Sequence, residues 1–480
     1  VFEGSSNERS VVVWTSMISA YVQQEQSICA LTIFGRMHDA RVSPNYVTIL
    51  CLLKACSHAK AIEEGMLLHA LVIVEVIKSK HSPLLNTLIH MYCNCGHLEE
   101  AQQTFNSLVE KSVVSWGVMI GGYVEVGDGY SALHLQEEME NKGMKANDKI
   151  YVCSLKACGM LGDISKGMHL QNEIVKIGCE KSVIVGSTLV DMYARCGHLA
   201  EACKVFEDLP ERNVVTWAAI IGGLAEQGHG HLSLQLFESM QHDATSLEPD
   251  RVIYLCVLKA CSSLCLLQQG RVIHDQILKS GLDYNEVTLN NSIIDMYAKC
   301  RQITDACKVF HGLHEKNIVS WSTIISGFVE IGDNHQSLKM FEEMESKEGA
   351  STSNKSTLSC ILKVCSCIGA LMQGREIHTK IIKFGFESDR AVINGLIDMY
   401  AKCGSLDEAQ QVLSVYDSSL VDLASWGALI HGYCQHGKMS LATQCLEKMQ
   451  KQGLKLNNII LTSLLNACSH SGQLQEGIKI

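Results

Sequence analysis

Cysteine is the residue type in this sequence with the widest chemistry, because a thiolate can bind zinc, form a disulfide or attack a substrate. The 480 residues contain 22 cysteines, but no pair is spaced as C-x-x-C. Nine of them recur in two series at intervals of 101 to 104 residues: Cys56, Cys158, Cys261, Cys365 and Cys468, and Cys95, Cys196, Cys300 and Cys403. Thiols at fixed places in a repeat are best explained as small packing residues in a reducing compartment. The sequence therefore predicts neither a zinc site nor a disulfide scaffold.

Histidine is the next candidate, for acid–base chemistry. His69, His274 and His378 share one register, each four residues after a glycine, and Gln171 takes the fourth such place. Residues roughly a hundred positions apart cannot converge on one site in an array of repeats. These histidines are therefore predicted to pack or to line a groove. Because no nucleophile–base pair or phosphate loop stands out, we predict no catalytic residue, no metal ligand and no cofactor.

The elements that position these residues follow from the tryptophans, all five of which sit in one register: Trp14, Trp116, Trp217, Trp321 and Trp426. After Trp14, apolar residues recur with the i, i+3, i+4, i+7 spacing of a helix with one buried stripe. A second apolar stripe runs from Ala30 to Met37 after a polar break. Each unit is therefore predicted to be two antiparallel helices that bury their stripes by stacking on neighbouring units.

Three kinds of unit alternate without interruption. Standard units of about 35 residues are predicted at 11–45, 113–147, 214–250, 318–354 and 423–457. Long units are predicted at 46–81, 148–182, 251–286 and 355–389, with an incomplete one from Asn458. Short units of about 31 residues are predicted at 82–112, 183–213, 287–317 and 390–422. This order gives the triplets 11–112, 113–213, 214–317 and 318–422, flanked by 1–10, the end of a truncated repeat, and by 423–480.

Composition limits the function classes. The longest apolar run, Leu67 to Ile77, contains His69 and Glu75 and is too short to cross a bilayer, so no membrane partner is expected. A net charge of −11 weakens a nucleic-acid interpretation without excluding it, because an acidic exterior is compatible with a neutral or basic groove. The sequence begins with a string like Val205–Asn213 and stops partway through a unit, so we expect a fragment.

The alternation of standard, long and short units resembles the PLS class of plant pentatricopeptide repeat proteins. The strings that carry the resemblance are IDMYAKC, ending at Cys300 and again at Cys403, and KACS, around Cys56 and Cys261. The resemblance covers essentially residues 1–480. It implies an all-α fold, a right-handed α-solenoid superhelix of stacked antiparallel hairpins. Uniform tetratricopeptide arrays are similar, but their W-x-x-L-G-x-x-Y motif is absent.

The resemblance also implies which residues read RNA, since such repeats contact one base per unit through two or three side chains. In this family these are the fifth and last residues of a unit. The polar ones in standard and short units are Thr15, Asn45, Asn86, Ser112, Asn147, Ser187, Asn213, Asp250, Asn291, Asn317, Ser322, Asn354, Asn394, Asp422 and Asn457. The alternative is that the same residues only cap helices and form turns.

The family's pairing rule suggests bases for six units. Thr15/Asn45, Ser187/Asn213 and Ser322/Asn354 resemble adenine combinations, Asn86/Ser112 a cytosine one, Asn291/Asn317 a pyrimidine one and Asn394/Asp422 the uracil one. Gly117, Ala218 and Gly427 depart from the pattern because they offer no side-chain hydrogen bond. Most long units have apolar fifth residues, namely Leu50, Val152 and Leu255, and are expected to space the groove; Ser359 with Asp389 is the exception.

Two further sets of residues follow from the resemblance. Bases are expected to be sandwiched by the second residue of standard units, with core packing as the alternative: Val12, Val114, Val215 and Val319. Phosphates are expected to meet the basic residues of the short units: Arg195, Lys299 and Lys402. Standard units have Gln23, Glu125 and Glu226 in that place. Because the standard units lack a cation at this place, the affinity for RNA is predicted to be modest.

Many proteins of this class continue into a deaminase-like domain with H-x-E and P-C-x-x-C motifs. Here His97-Leu-Glu99 matches H-x-E by chance, inside a repeat helix start, and no P-C-x-x-C accompanies it. This chain is therefore predicted not to be an enzyme. The resemblance implies a site-recognition module of an organellar RNA-processing factor, with C-to-U RNA editing as the expected process.

The expected partners are single-stranded RNA of the mitochondrion or chloroplast and an editing deaminase or another editing-factor protein. Two alternatives stay open at this point: a protein-interaction scaffold, which the acidic charge would suit, and an inactive truncated product.

Overall fold

A computed structural model describes residues 10–79, 82–180, 182–242, 247–282, 286–348, 354–415 and 422–471. Of the segment 1–10 only Ser10 is described, and the end of the chain beyond 471 also lies outside the described residues. The chain divides into two compact bodies, residues 1–253 and 254–480. Within the described ranges every regular element is helical, and no helix is long and apolar enough to cross a membrane.

The first body consists of helical hairpins in which an odd-numbered helix is followed by an even-numbered one. Its helices are α1 (Val11–Gln23), α2 (Ser27–Asp39), α3 (Tyr46–Ala59), α4 (Ile62–Ser79), α5 (Ser82–Asn94), α6 (Leu98–Asn106), α7 (Val113–Val126), α8 (Gly129–Asn141), α9 (Asp148–Leu161), α10 (Ile164–Ile177), α11 (Val183–Arg195), α12 (Leu199–Asp208), α13 (Val214–Glu226) and α14 (Gly230–His242). Helix α15 (Arg251–Leu264) runs across the division between the bodies.

The second body repeats the same arrangement. Its helices are α16 (Leu267–Ser280), α17 (Val287–Lys299), α18 (Ile303–Gly312), α19 (Ile318–Ile331), α20 (Asn334–Glu348), α21 (Lys355–Ile368), α22 (Leu371–Lys383), a short 3-10 turn (Phe386–Ser388), α23 (Arg390–Lys402), α24 (Leu406–Val415), α25 (Leu423–Gln435), α26 (Met439–Lys451) and α27 (Asn458–Ser471).

Stacking in each body places first helices against first helices. In the first body α1, α3, α5, α7, α9, α11 and α13 contact one another in chain order, and in the second body α17, α19, α21, α23, α25 and α27 do the same. Within each body a first helix also packs on the second helix of the preceding hairpin, as α7 does on α6 and α19 on α18. The predicted α-solenoid arrangement of stacked antiparallel hairpins is therefore confirmed within each body.

Local sequence explains where a typical first helix begins and ends. Asn317 precedes α19, and its side chain accepts a hydrogen bond from the backbone N–H of Ser320 while the Ser320 side chain bonds back, which forms a capping box. The helix ends at Gly332, whose φ of +89° is readily reached only without a side chain. Each predicted unit from Val11 onward has a first helix beginning at its first residue.

Unit length is set in the second helices. Those of the short units have 9 or 10 residues, whereas those of the standard units have 13 to 15. First helices keep 13 or 14 residues throughout. The shorter repeat thus lacks about one helical turn on one side of the hairpin only.

The periodic aromatic residues form the joints between units. Trp116, Trp217 and Trp321 each meet a phenylalanine of the preceding short unit edge to face, with ring centroids 4.8 to 4.9 Å apart: Phe105, Phe206 and Phe310. Edge-to-face contacts of this kind add stability beyond the area they bury. These phenylalanines were not singled out from the sequence.

The long and short units meet through methionine and glycine. A Cβ built on Gly65, Gly167, Gly270 or Gly374 would lie 2.3 to 2.6 Å from a methionine sulfur, those of Met91, Met192, Met296 and Met399 respectively. Each of these methionines is followed directly by a tyrosine and fills the space that a glycine leaves on the long unit's second helix. Its tyrosine contacts the same helix, for example through a 2.8 Å hydrogen bond between Tyr92 Oη and His69 Nδ1.

The cysteines behave as packing residues. Cys56, Cys158, Cys261 and Cys365 are fully buried, and all 22 cysteines are free thiols. Burial raises the pKa of Cys56, Cys158 and Cys261 to about 12, so these groups are neutral thiols near neutral pH. Among the described residues no group of three His, Cys, Asp or Glu side chains is arranged to hold a metal ion.

Candidate nucleic-acid interface

The last residue of a unit caps the first helix of the next one. Asn213, for example, accepts a hydrogen bond from the backbone N–H of Thr216 at 2.9 Å and another from the Thr216 hydroxyl at 2.9 Å. The same backbone bond is made by Asn45, Ser112, Asn147, Asp250, Asn317, Asn354, Asp422 and Asn457. The capping role considered from the sequence is therefore present in the structure.

The fifth residue lies beside this cap in four units. Thr15 Oγ1 is 2.6 Å from Thr48 Oγ1, and Ser187 Oγ is 2.8 Å from Thr216 Oγ1. The amide of Asn394 donates to Asp422 Oδ1 at 3.3 Å, and that of Asn291 donates to Asn317 Oδ1 at 3.5 Å. Residues 26 to 33 positions apart in sequence thus share one polar cluster at each of these junctions.

In the two remaining pairs the side chains are not joined by a hydrogen bond. Ser322 donates to the carbonyl of Val319 at 3.0 Å, while Asn354 caps α21 separately. Asn86 keeps its Oδ1 buried without a partner, while Ser112 bonds Ser115 at 3.0 Å. The Oδ1 of Asn291 is likewise buried without a partner. Within the described part of the chain these two amide oxygens are acceptors without a donor.

Asp422 keeps a negative charge at its junction. Burial by itself would raise the pKa of this carboxyl, but hydrogen bonds from the backbone N–H of Ser425, the Asn394 amide and the Ala424 backbone outweigh it and lower the pKa. The Ser425 hydroxyl also donates to Asn394 Oδ1. One carboxylate, one amide and one hydroxyl therefore meet at the boundary between α23 and α25.

The four second-position valines are exposed to solvent. Val12, Val114, Val215 and Val319 have relative exposures of 52% to 63%, which argues against the alternative of core packing. They stand three positions before the fifth residue, which is one helical turn away on the same face. The long and short units add Val47, Ile184 and Val252, with exposures of 47% to 69%, in the same position. A search of all units at position two would have found these three from the sequence.

The three predicted phosphate-binding cations are each paired with an aspartate one turn earlier. Arg195 Nε lies 2.9 Å from Asp191 Oδ2, Lys299 Nζ 2.9 Å from Asp295 Oδ2, and Lys402 Nζ 2.9 Å from Asp398 Oδ2: three i, i+4 ion pairs. Their side chains keep exposures of 35% to 52%. The cations can reach solvent, but each shares its charge with a neighbouring carboxylate, which lowers the positive potential of this face.

The third residue of the first helix was overlooked in the sequence. Thr48, Ser115, Thr216, Ser320, Thr357 and Ser425 are fully buried, and each makes a hydrogen bond to the capping residue before it. Each of these side chains is a Ser or Thr three residues after a Ser, Asn or Asp, so a search for the capping pattern would have found them.

The chance H-x-E match is part of an ordinary repeat. His97 precedes α6, and its Nδ1 lies 3.5 Å from Glu100 Oε2 rather than near Glu99. Its neighbours include no third metal-ligating side chain among the described residues.

Three family models match this chain, and all three describe pentatricopeptide repeats. The PPR repeat family model matches residues 421–479, and the Pentatricopeptide repeat domain model matches 8–59. The PPR repeat model matches seven segments, 84–113, 114–144, 187–214, 215–243, 291–318, 319–348 and 392–415. These seven segments fall in the second to eighth of the standard and short units, counted together in chain order.

Curated proteins of Arabidopsis thaliana are similar along almost the whole chain. A pentatricopeptide repeat-containing protein is 30% identical over 452 residues, which is 93% of this chain and 72% of that protein. A mitochondrial one is 30% identical over 98% of this chain and 67% of its own length, and a chloroplastic one is 30% identical over 99% and 49%. The chain spans roughly two thirds or less of the length of the first such relatives.

The fold has solved counterparts. The crystal structure of the pentatricopeptide repeat protein PPR10 from maize matches with a TM-score of 0.60 at 17% identity, over 98% of this chain and 73% of that one. A structure of PPR10 in complex with an 18-nt psaJ RNA element matches with a TM-score of 0.58 at 16% identity, over 99% and 84%. At this level of identity the likeness concerns the fold.

Proposed function

Because this chain belongs to the pentatricopeptide repeat family, we propose that it binds single-stranded RNA in a sequence-specific manner, one base per standard or short unit. The observation that carries the proposal is the set of polar clusters in which fifth and last side chains meet, as Asn394 and Asp422 do. Short polar side chains at a unit boundary suit hydrogen bonding to the Watson–Crick edge of an unstacked base.

The exposed second-position valines support the same proposal. A base held between two such residues would cover apolar area that water otherwise touches, and every base has an apolar face to offer. The valine precedes the fifth residue by three positions on the same helix face, so stacking and edge recognition would act on one base. The solved complex of PPR10 with an RNA element, in which the same fold binds RNA, is consistent with this role.

We further propose the PLS class and the triplet organisation, with C-to-U editing of organellar RNA as the process. Catalysis would then reside in a domain outside this chain or in a partner such as an editing deaminase. The mitochondrial and chloroplastic names of relatives support an organellar location in one of these two compartments.

A protein-interaction scaffold is the second candidate, and a specific observation favours it. The valines and isoleucines at position two form exposed apolar sites on successive first helices, which a protein partner would also cover. Polar fifth residues next to these sites are what a base reader needs and a scaffold does not. RNA binding therefore decides between the two candidates.

The test is binding selection of the purified chain on a randomised RNA pool at a stated salt concentration. We expect enrichment of adenine at the nucleotide aligned with unit 11–45, and of uracil at that aligned with unit 390–422. Asn394→Thr should shift the latter preference from uracil towards guanine. Failure to enrich any sequence would contradict the proposed function, whereas an unchanged preference in Asn394→Thr would reject only the assigned code.

A further inference from the structure

The third residue of each first helix varies together with the fifth residue of the unit before it. Six units, which we call reader units, have a polar fifth residue and are followed by a hydroxyl residue at position three: Thr15 with Thr48, Asn86 with Ser115, Ser187 with Thr216, Asn291 with Ser320, Ser322 with Thr357, and Asn394 with Ser425.

The other seven units show the opposite combination. The unit that follows each of them has an apolar third residue: Leu50 is followed by Leu84, Gly117 by Ile150, Val152 by Val185, Ala218 by Ile253, Leu255 by Leu289, Ser359 by Val392, and Gly427 by Ile460. Ser359 is the one polar fifth residue in this group. The fifth position of one unit and the third position of the next thus change together within one chain.

Contacts in the structure give this pattern a physical cause. The third-position hydroxyl touches the fifth side chain directly in Thr15–Thr48, Ser187–Thr216 and Asn394–Ser425. In unit 287–317 the link passes through the capping residue, since Asn317 Oδ1 accepts from both Asn291 and Ser320. A polar side chain buried at this junction requires a partner, and a hydroxyl can act as donor or acceptor.

Apolar third residues occupy the same space where no polar fifth residue is present. A Cβ built on Gly117 would lie 3.3 Å from Ile150 Cγ1, and one built on Gly427 would lie 3.5 Å from Ile460 Cγ1. The isoleucine side chain therefore packs against the place where a reader unit holds its polar group. A hydroxyl added at Gly117 would face a methylene instead of a partner.

We infer that the third residue of a unit is a positioning residue for the unit before it: its hydroxyl holds the fifth side chain of a reader unit in the orientation that recognises a base. The inference rests on the proposed RNA binding and adds a third specificity position to it. It limits base discrimination to the six reader units and leaves the remaining units as spacers.

The orientation matters because an amide presents different groups on its two sides. In Asn394 the Oδ1 atom accepts from Ser425 and the Nδ2 group donates to Asp422, so the remaining Nδ2 hydrogen is the group left for a ligand. In Asn86 and Asn291 the Oδ1 atom has no partner, which leaves an acceptor instead. Asparagine at the same position therefore offers a ligand different hydrogen-bonding groups in different units. The difference is whether the third-position hydroxyl donates to its Oδ1 atom.

Thr216→Val is the sharpest loss-of-function test. It removes one hydroxyl and keeps the branched shape; the backbone N–H of Asn213 loses its capping-box acceptor, a cost that thermal unfolding of the variant measures. Ser187 still donates to the carbonyl of Val183 at 2.6 Å, and Asn213 still accepts the backbone N–H at position 216. We expect the base preference at the nucleotide aligned with unit 183–213 to fall about fivefold, the order of one net hydrogen bond. Preferences at the other five reader units should not change, and Thr216→Ser should retain the original preference.

Two variants that should gain a base preference test the inference even if Thr216→Val does not fold. Gly117→Ser alone places a hydroxyl against Ile150, whereas Gly117→Ser with Ile150→Thr restores the reader combination next to Asn147, which already caps α9. We expect the double variant to gain a preference for one base at the nucleotide aligned with unit 113–147, about fivefold above the single variant.

Both arms use binding selection on the same randomised RNA pool, with thermal unfolding of each variant as the folding control. Unchanged preferences in Thr216→Val together with no gain in the double variant would overturn the inference and leave the proposed function standing. A wild-type chain that enriches no RNA would overturn the proposed function, and this inference with it.

Discussion

Lys299 and Asp295 form an ion pair across one turn of α17, with 2.9 Å between Nζ and Oδ2. Asp295 also accepts a hydrogen bond from Ser262 on α15 at 2.8 Å, and Asp398 repeats the arrangement with Lys402 and Ser366. In unit 183–213, Asp191 pairs with Arg195, and Gly159 replaces the serine; a Cβ there would lie 3.2 Å from Arg195 Cδ. The predicted phosphate contacts are thus held by carboxylates.

Asp295→Asn should therefore strengthen RNA binding, because it frees Lys299 while keeping an acceptor for Ser262. We expect the slope of log K against log salt to steepen by about 0.7, the value of one additional phosphate contact on a single strand. Fluorescence anisotropy with labelled RNA at several salt concentrations measures it. Asp305→Asn on α18, where Asp305 pairs with Arg271 and Lys308, is the matched control. Equal slopes in the two variants would argue against a role for Lys299.

Gly270→Ala should destabilise the fold, since the new Cβ would lie 2.4 Å from Met296 Sδ and this joint has to repack. Overpacking of this kind costs about 1–3 kcal/mol. Gly35→Ala is the control of opposite sign, because Gly35 lies within α2 with nothing near its Cβ position and alanine favours helix by about 1 kcal/mol. Thermal unfolding should show a lower Tm for the first variant and a higher Tm for the second. A shift of the same sign in both would refute the packing explanation.

Stability should fall in mild acid because of the histidine–tyrosine contacts. Burial lowers the pKa of His69 and of His378 below their ordinary 6.5, in His378 against a partial opposing effect of Glu408 and Glu387. The folded state therefore binds a proton less readily than the unfolded state. The contribution of these neutral histidines to the free energy of unfolding is fully present above about pH 6.5. It is lost as the pH falls below that value.

Replacing these histidines by glutamine should remove part of this pH dependence. The chain itself offers the model, because Gln171 accepts the hydrogen bond of Tyr193 in the corresponding place. We expect the difference in Tm between pH 8 and pH 5.5 to be smaller in His69→Gln/His378→Gln than in the original chain. If both chains show the same difference, other groups account for the acid sensitivity.

Val215→Ser separates a ligand-binding role from a packing role. Because Val215 is 61% exposed, we expect a Tm within a few degrees of the original chain. Loss of apolar contact with a base should weaken RNA binding by about threefold to tenfold, on the order of 1 kcal/mol. Leu232→Ser is the control, since Leu232 has a similar exposure of 50% on the second helix of the same hairpin. An equal loss of affinity in both variants would contradict the sandwich role.

Alkylation should divide the cysteines into two groups. Cys29, Cys265 and Cys367 are exposed, whereas Cys56, Cys158, Cys261 and Cys365 are fully buried. Burial raises the pKa of Cys365 to about 11, so hardly any thiolate forms at pH 8. Iodoacetamide should label the three exposed thiols quickly and the four buried ones only in denaturant, which mass spectrometry detects. Rapid labelling of Cys261 in the folded chain would show that its joint opens.

Much of the fold could be predicted because a repeat makes its register visible. The spacing of Trp14, Trp116 and the other tryptophans indicates the register of the standard units, and first helices begin at Val11 and Val113. The site was predicted less completely. The i, i+4 spacing of Asp295 and Lys299 is visible in the sequence, but the family resemblance predicts a role only for the cation, so the ion pair was missed.

The sequence alone determined the hairpin, its register and the family, because helical periodicity and capping are local and repeat in every unit. Only the tertiary structure decided which distant groups share a junction. Nothing local brings Ser187 to Thr216 or Phe310 to Trp321, since these contacts arise when one unit stacks on the next. For the same reason Val12 and Trp14, two residues apart on one helix, differ in burial. Stacking buries the tryptophan and leaves the valine exposed.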